Sequence, residues 1–180
     1  VAEDGTYYCM NRAGNFSKME QAEAGLFADN PKLFSGRGFI WSRTIPMLKE
    51  YVLVGAGPDN FEVAYPQMDE VAMRQNGYGN MTITKPHNIY LQIGVNTGVV
   101  SMIAYIAFFI MYAVSCFRLY FVKKPEGYFE HMGIGLFCGT FGYMVSGIIN
   151  DSTVCVAPIY WCFMGIGVAV NMIVQKKRSA

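Results

Sequence analysis

Hydrophobic and polar positions divide this chain at Gly98. Before it, apolar residues are interleaved with charges and turn formers; after it come three long apolar runs, at about 99–117, 132–149 and 154–174. The first run carries no charge over roughly nineteen residues, enough at 1.5 Å per residue to cross a hydrocarbon core. Each run is read as a transmembrane helix. Arg118, Lys123 and Lys124 follow the first and Lys176-Lys177-Arg178 close the third, whereas the turn Asn150-Asp151-Ser152-Thr153 has no Lys or Arg. Basic residues concentrate on the cytoplasmic side of a membrane, so 118–131 and the C-terminus are expected there. Residues 1–97, and the 150–153 turn, then face outward. Gly135, Gly139 and Gly142 in the second run, with Gly165 and Gly167 in the third, allow close helix packing.

The polar half is weaker in pattern. Ser17-Lys18-Met19-Glu20 has the form of a capping box and predicts a short helix from about Lys18 to Phe27, ended by Asp29-Asn30-Pro31. Arg37, Trp41, Thr44 and Leu48 recur at i, i+4, i+7 and i+11, one face of an amphipathic helix. Arg43 lies about 120° round that helix from Arg37, and Pro46 is expected to kink it. Two readings stand side by side: a surface helix with Trp41 as an interfacial anchor and solvated arginines, or a direct role for one arginine. Gly55-Ala56-Gly57-Pro58-Asp59-Asn60 reads as a tight turn using glycine at positive φ, since the Gly-Lys-Ser/Thr ending of a phosphate loop is missing. Residues 66–84 read as irregular, a mobile loop. Lys85-Pro86-His87-Asn88 then leads through Ile89–Gly94 into the first span, which places His87 at the membrane surface.

Composition narrows the choices. The chain has 180 residues, 53% hydrophobic and 15% aromatic, with 12 Met and 13 Phe, rich for a soluble domain. A net charge of +1 without a basic stripe excludes a nucleic-acid partner. Of five cysteines only Cys9 lies in the polar half, so no disulfide framework is expected. His87 and His131 fall on opposite sides of a span, and no Cys or His spacing suits zinc. No signal-like segment opens at Val1, and the chain is expected to be a piece of a longer membrane protein.

Ser35-Gly36-Arg37-Gly38-Phe39-Ile40-Trp41, then Gly55-Ala56-Gly57-Pro58 with Asn60-Phe61, then His87-Asn88-Ile89-Tyr90-Leu91-Gln92 with Gly98 opening a span, together resemble the signature region of the bacterial O-antigen ligase and polymerase family. The resemblance covers roughly residues 35–174. It implies an all-α integral membrane protein, a fragment of a multi-span glycosyltransferase of the GT-C type. Its parts would be a mostly helical extracytoplasmic loop over 1–97 and three transmembrane helices over 98–180 of an inner-membrane protein. The implied donor is a polyprenyl-diphosphate-linked glycan, the acceptor a glycan- or lipid-borne hydroxyl, and no metal or cofactor is used. Residue by residue, the family's essential histidine corresponds to His87 and its best-matched arginine to Arg37, with Arg43 second. Trp41 and Asn88 in the same motifs, and Asp151 on the outer turn, complete the candidate substrate-binding set.

The residue chemistry is consistent with this on its own terms. Breaking a sugar–diphosphate bond develops negative charge that a metal or fixed cations must stabilise, and the planar donor fork of arginine suits phosphate oxygens. The attacking hydroxyl benefits from a base, for which histidine is suited at neutral pH. The plainer reading of His87 is a helix-start residue. For Asp151 the leading reading is a cap on the third helix, with orientation of an arginine or a sugar as the other. Two alternatives of a different class remain: a multi-span transporter subunit and a non-catalytic polysaccharide-binding membrane protein. Transporters usually place charges or broken helices near the bilayer midplane, and the three runs carry no charge there.

Overall fold

A computed structural model describes residues 6–10, 14, 16–19, 21–79, 81–122 and 124–179. The chain divides into two units, one of 1–86 with 94–99, the other of 87–93 with 100–180.

The first unit opens with β1 (Tyr8–Met10) and β2 (Phe16–Lys18), paired antiparallel with Tyr8 opposite Lys18. This ladder replaces the helix expected from Lys18. A capping box is worth only about 1 kcal/mol, and strand pairing outweighs it. Glu20, its last member, lies outside the described residues. The short ladder also means that the fold is not purely helical. Three helices follow: α1 (Arg37–Met47), α2 (Phe61–Ala64) and α3 (Glu70–Gln75). The last of these lies in the segment expected to be irregular. It is held by buried Met73 and by an Arg74–Glu70 ion pair one turn apart. Just before it, Gln67 pairs with a distant backbone as a strand would, with Nε2 donating to Ile83 O at 2.7 Å and Oε1 accepting from Ile83 N–H at 3.2 Å.

Pro46 falls in the last turn of α1 and ends the helix instead of kinking it. Lacking an N–H, it leaves the Ser42 carbonyl unclaimed by the helix, and Gly25 N–H donates to that oxygen at 2.8 Å. Phe39, Ile40, Trp41, Phe61, Tyr65, Met73, Ile83 and Val95 form the buried apolar centre of this unit.

Helix α4 (Ile89–Thr97) stops because Gly98 takes φ +105, the left-handed conformation that closes helices. A Cβ there would lie 2.9 Å from Leu53 O. The glycine turn at 55–57 then serves an end-capping purpose: Ala56 N–H donates to Val95 O at 2.8 Å and Gly57 N–H to Asn96 O at 3.0 Å, taking the last carbonyls of α4. Gly57 has the positive φ expected, but Gly55 is required for space, since a Cβ would meet the Asn96 backbone at 2.2 Å.

The second unit contains α5 (Val99–Tyr120), α6 (Tyr128–Ser146) and α7 (Ala157–Ser179). Helices α5 and α7 are long and apolar enough to span a bilayer, and only 11% and 33% of their apolar windows are buried. Val100, Ile103, Phe108, Ile110, Met111 and Phe117 on α5 stand exposed, as do Ile159, Phe163, Ile166 and Ile173 on α7. A soluble protein would not leave such faces to water, so these are membrane helices. Helix α6 is shorter and diluted by Gly133, Gly135, Gly139 and Gly142, with Glu130 and His131 in its first turn. Helix α7 begins later than the apolar run because 154–156 form a turn, and Pro158 sits in its first turn, where a missing N–H costs nothing.

Helices α5 and α7 are joined by a polar clasp: Tyr120 OH donates to Asn171 Oδ1 at 2.5 Å, and Asn171 Nδ2 donates to Ser115 Oγ at 3.1 Å. Buried polar groups of this kind act as interhelical glue in lipid.

Candidate functional site

The candidate residues fall into both units, and each unit builds its part independently. In the second, the start of α4 is fastened to the segment that follows α6. Asn88 is the N-cap of α4, its Oδ1 accepting from the N–H groups of Tyr90 at 3.0 Å and Leu91 at 2.9 Å. The other end of the same amide, Nδ2, donates to Ile148 O at 2.8 Å, and Ile89 N–H donates to Gly147 O at 2.8 Å. Gln92, one turn along α4, accepts from Ser152 N–H at 2.9 Å, and Ser152 Oγ lies 3.2 Å from Tyr143 OH. These bonds bring the 147–153 turn alongside the first turn of α4.

The consequence is a histidine–carboxylate pair. His87 Nδ1 lies 2.8 Å from Asp151 Oδ2, with the imidazole 45% exposed and the carboxylate 9% exposed. When the Nδ1–H donates to the carboxylate, the tautomer is fixed and the Nε2 lone pair is left for another partner. Asp151 Oδ1 is buried without a partner. His87 also adopts φ +51, left-handed backbone that is strained in a non-glycine residue. Such strain persists where surrounding contacts over-determine it, and it concentrates at functional positions.

Asp151 does not cap the last helix. Helix α7 starts at Ala157, and the Thr153 carbonyl accepts from the N–H groups of Val156 at 3.1 Å and Ala157 at 2.9 Å. The capping reading of Asp151 is replaced by its pairing with His87. Sequence reasoning missed that pairing, although it held the signal: one acid and one histidine expected at the same membrane face. Tyr90, beside the cap, is held in its neutral form by burial, which raises its pKa.

In the first unit, α1 carries Arg37, Trp41 and Arg43. Trp41 is 4% exposed, donates its indole N–H to Pro86 O at 2.8 Å and packs against Phe27 and Phe34. The reading of Trp41 as an interfacial anchor is therefore incorrect: its ring is enclosed in protein and fixes the residue preceding His87. Arg43 is not solvated either. Its guanidinium pairs with Asp69 at 3.4 Å, donates to Ser42 Oγ at 2.8 Å and lies over the Phe39 ring at 4.2 Å. Arg37 is half-buried and, among the described residues, makes a single long bond, 3.3 Å, to Phe34 O. It follows a run of left-handed residues, Phe34 at φ +51, Ser35 at +60 and Gly36 at +90. The Nε atoms of both arginines are buried without partners, as is the Tyr65 hydroxyl. Burial raises the pKa of Tyr65 well above its usual range, with nearby Arg43 opposing the rise, so this hydroxyl remains a neutral donor. Tyr78, stacked on Phe39, is likewise raised by burial, with Arg37 acting in the opposite direction.

Among the described residues no three His, Cys, Asp or Glu side chains gather as a metal-binding group. No curated protein and no solved structure shows significant similarity to the chain. A family model does match. It spans residues 5–106, more than half the chain, and takes in Arg37, Trp41, Arg43, His87 and Asn88, with Asp151 beyond its end. The helices exposed to lipid, the resemblance of the Arg37 and His87 motifs and this match agree, and the chain belongs to the O-antigen ligase family.

Proposed function

We propose that this chain carries the histidine-bearing part of a membrane glycosyltransferase that moves a polyprenyl-diphosphate-linked glycan onto a hydroxyl of a glycan or lipid acceptor. Membership of the family supports glycosyl transfer at a membrane in general; donor, acceptor and the residue roles are our reading. The observation that carries it is the 2.8 Å pairing of His87 Nδ1 with the largely buried Asp151 carboxylate.

The roles follow from the bonding of each side chain. With Nδ1–H held by Asp151, His87 Nε2 takes the proton of the acceptor hydroxyl as its oxygen attacks the anomeric carbon. The bond between that carbon and the diphosphate oxygen breaks, and the electron pair leaves with the diphosphate. The imidazolium that forms is stabilised by the carboxylate. Arg37, with its guanidinium barely engaged, is the better candidate to grip diphosphate oxygens through its donor fork. Arg43, tied to Asp69 and Ser42, contributes fixed positive charge from a set position. In this reading charge neutralisation rests on arginine, and no metal is required. Trp41 and Asn88, whose polar atoms are committed to backbone, are positioning residues and not substrate contacts.

We also place the protein in the inner membrane, multi-pass with three spans of a GT-C-type architecture. Residues 1–97 are then extracytoplasmic and the C-terminus cytoplasmic, as the basic residues after α5 and in the last turn of α7 favour.

The test is transfer by the full-length protein, reconstituted with donor and acceptor, comparing parent with His87→Gln. Glutamine keeps a hydrogen-bonding side chain but has no imidazole base. Transfer should fall by roughly 10²–10⁴-fold, the range for a lost general base, while donor binding persists. Near-normal transfer by correctly inserted His87→Gln protein would sink the base assignment.

A further inference from the structure

At the opposite, basic end of the membrane helices lies a cleft of about 480 Å³ lined by Lys124, Glu126, Glu130, Lys177 and Arg178. Helix α7 brings Lys177 and Arg178 there in its last turn, directly after its apolar stretch, and α6 contributes Glu130 in its first turn. The cleft therefore sits where lipid headgroups meet the protein.

Glu130 is the anomaly. It is 5% exposed, its Oε2 is buried without a hydrogen-bond partner, and none of the ion pairs among the described residues includes it. The field at the N-terminus of α6 favours a first-turn carboxylate only modestly. A buried carboxylate oxygen without a hydrogen bond is penalised by more than that field returns, so the helix end alone does not account for this residue. Glu130 and Lys177 share one wall with the Gly127 backbone: a Cβ on Gly127 would lie 2.4 Å from Glu130 Oε2 and 3.3 Å from Lys177 Nζ. The same wall thus offers an unpartnered acceptor next to a row of cationic donors.

We propose that this cleft binds a phosphoethanolamine headgroup of a membrane phospholipid. The lipid's primary ammonium donates to Glu130, and its phosphate is held by Lys124, Lys177 and Arg178. A headgroup with phosphate alone would leave Glu130 unpaired and repelled. A trimethylated ammonium carries no N–H to donate to it. The ammonium–phosphate pair of phosphoethanolamine matches both signs of charge in the cleft. The bound lipid fastens the basic end of α7 to the start of α6.

The experiment uses the full chain in detergent micelles, with native mass spectrometry or a fluorescent-lipid competition measuring retention of phosphatidylethanolamine, phosphatidylcholine and phosphatidylglycerol. Phosphatidylethanolamine should bind preferentially. Glu130→Gln should cut that preference by about 10- to 150-fold, the worth of a hydrogen bond to a charged group. Lys177→Gln should weaken phosphatidylethanolamine and phosphatidylglycerol alike. Gly127→Ala drives a Cβ against Glu130 Oε2 and displaces the carboxylate without changing charge, and it should lower retention even if Glu130→Gln folds poorly. Soluble phosphoethanolamine should compete only at far higher concentration; equal competition would mean a soluble ligand and overturn the lipid assignment. Equal retention of all three lipids by the parent, or an undiminished preference in Glu130→Gln, would overturn the site itself.

Discussion

Replacing Asp151 with Asn removes one negative charge from the His87 pair and leaves its shape almost unchanged, which makes it the sharpest probe of the dyad. The carboxylate is 9% exposed and 2.8 Å from Nδ1. In the transition state it faces a developing imidazolium, and two unit charges at 4 Å interact by about 4 kcal/mol at an effective dielectric constant near 20. Because the imidazole is 45% exposed, water screens part of that, and the ~1.5–3 kcal/mol typical of hydrogen bonds to charged groups is the better figure. At 1.4 kcal/mol per decade, transfer should slow by about 10- to 150-fold. Asparagine has two ways to sit. With its carbonyl at the Oδ2 position it still accepts from Nδ1–H, and its NH₂ occupies the partnerless Oδ1 position. Turned over, it donates to Nδ1 and forces the proton onto Nε2, which destroys the base. Both arrangements slow kcat with little change in KM for the acceptor. The assay is transfer by reconstituted full-length protein, with thermal unfolding in detergent as the control for folding. Asp151→Asn transferring within twofold of the parent, while His87→Gln is inactive, would refute the orienting role.

The remaining predictions concern the first unit and the topology. Arg37→Lys should change stability little, since the guanidinium's bond to Phe34 O is long, yet lower transfer steeply because the fork geometry is lost. Arg43→Lys should do the reverse, lowering the melting temperature by removing the bonds to Ser42 and Asp69, which a melting curve beside a transfer assay would show. Trp41→Phe strands the buried Pro86 carbonyl and should cost about 1–3 kcal/mol of stability; an unchanged denaturant midpoint would contradict this. A single cysteine at Asn76, with the native cysteines replaced, should react with a membrane-impermeant label in intact cells, and labelling only after permeabilisation would reverse the proposed orientation.

Some of this was decided by sequence alone, because it depends on local composition. An uncharged apolar run of the length after Gly98 has few alternatives to a membrane helix, since its backbone must satisfy itself in lipid. The 3.6-residue periodicity of Arg37, Trp41, Thr44 and Leu48 found α1, which ends at Met47, one residue short of the last of them. The resemblance carried by the arginine and histidine motifs pointed to the family that the match over 5–106 shows. What sequence did not reveal was long-range. The strand pair displaced a helix with good local signals because pairing energy comes from residues six to ten positions away. Periodicity put Trp41 and Arg43 on a surface helix, but it cannot report that a ring from the 26–36 turns and the Pro86 carbonyl cover the other side. Asp151 lies 64 positions beyond His87 in the numbering, and nothing in the intervening residues encodes their meeting. Tertiary structure made that pair, through the Asn88 cap on Ile148 and the Gln92 bond to Ser152. A side chain's chemical capacity is written in its identity. Whether that capacity is spent on a neighbour, as in Asn88, or has no partner among the described residues, as at His87 Nε2, is settled only when the chain folds and the partners are chosen.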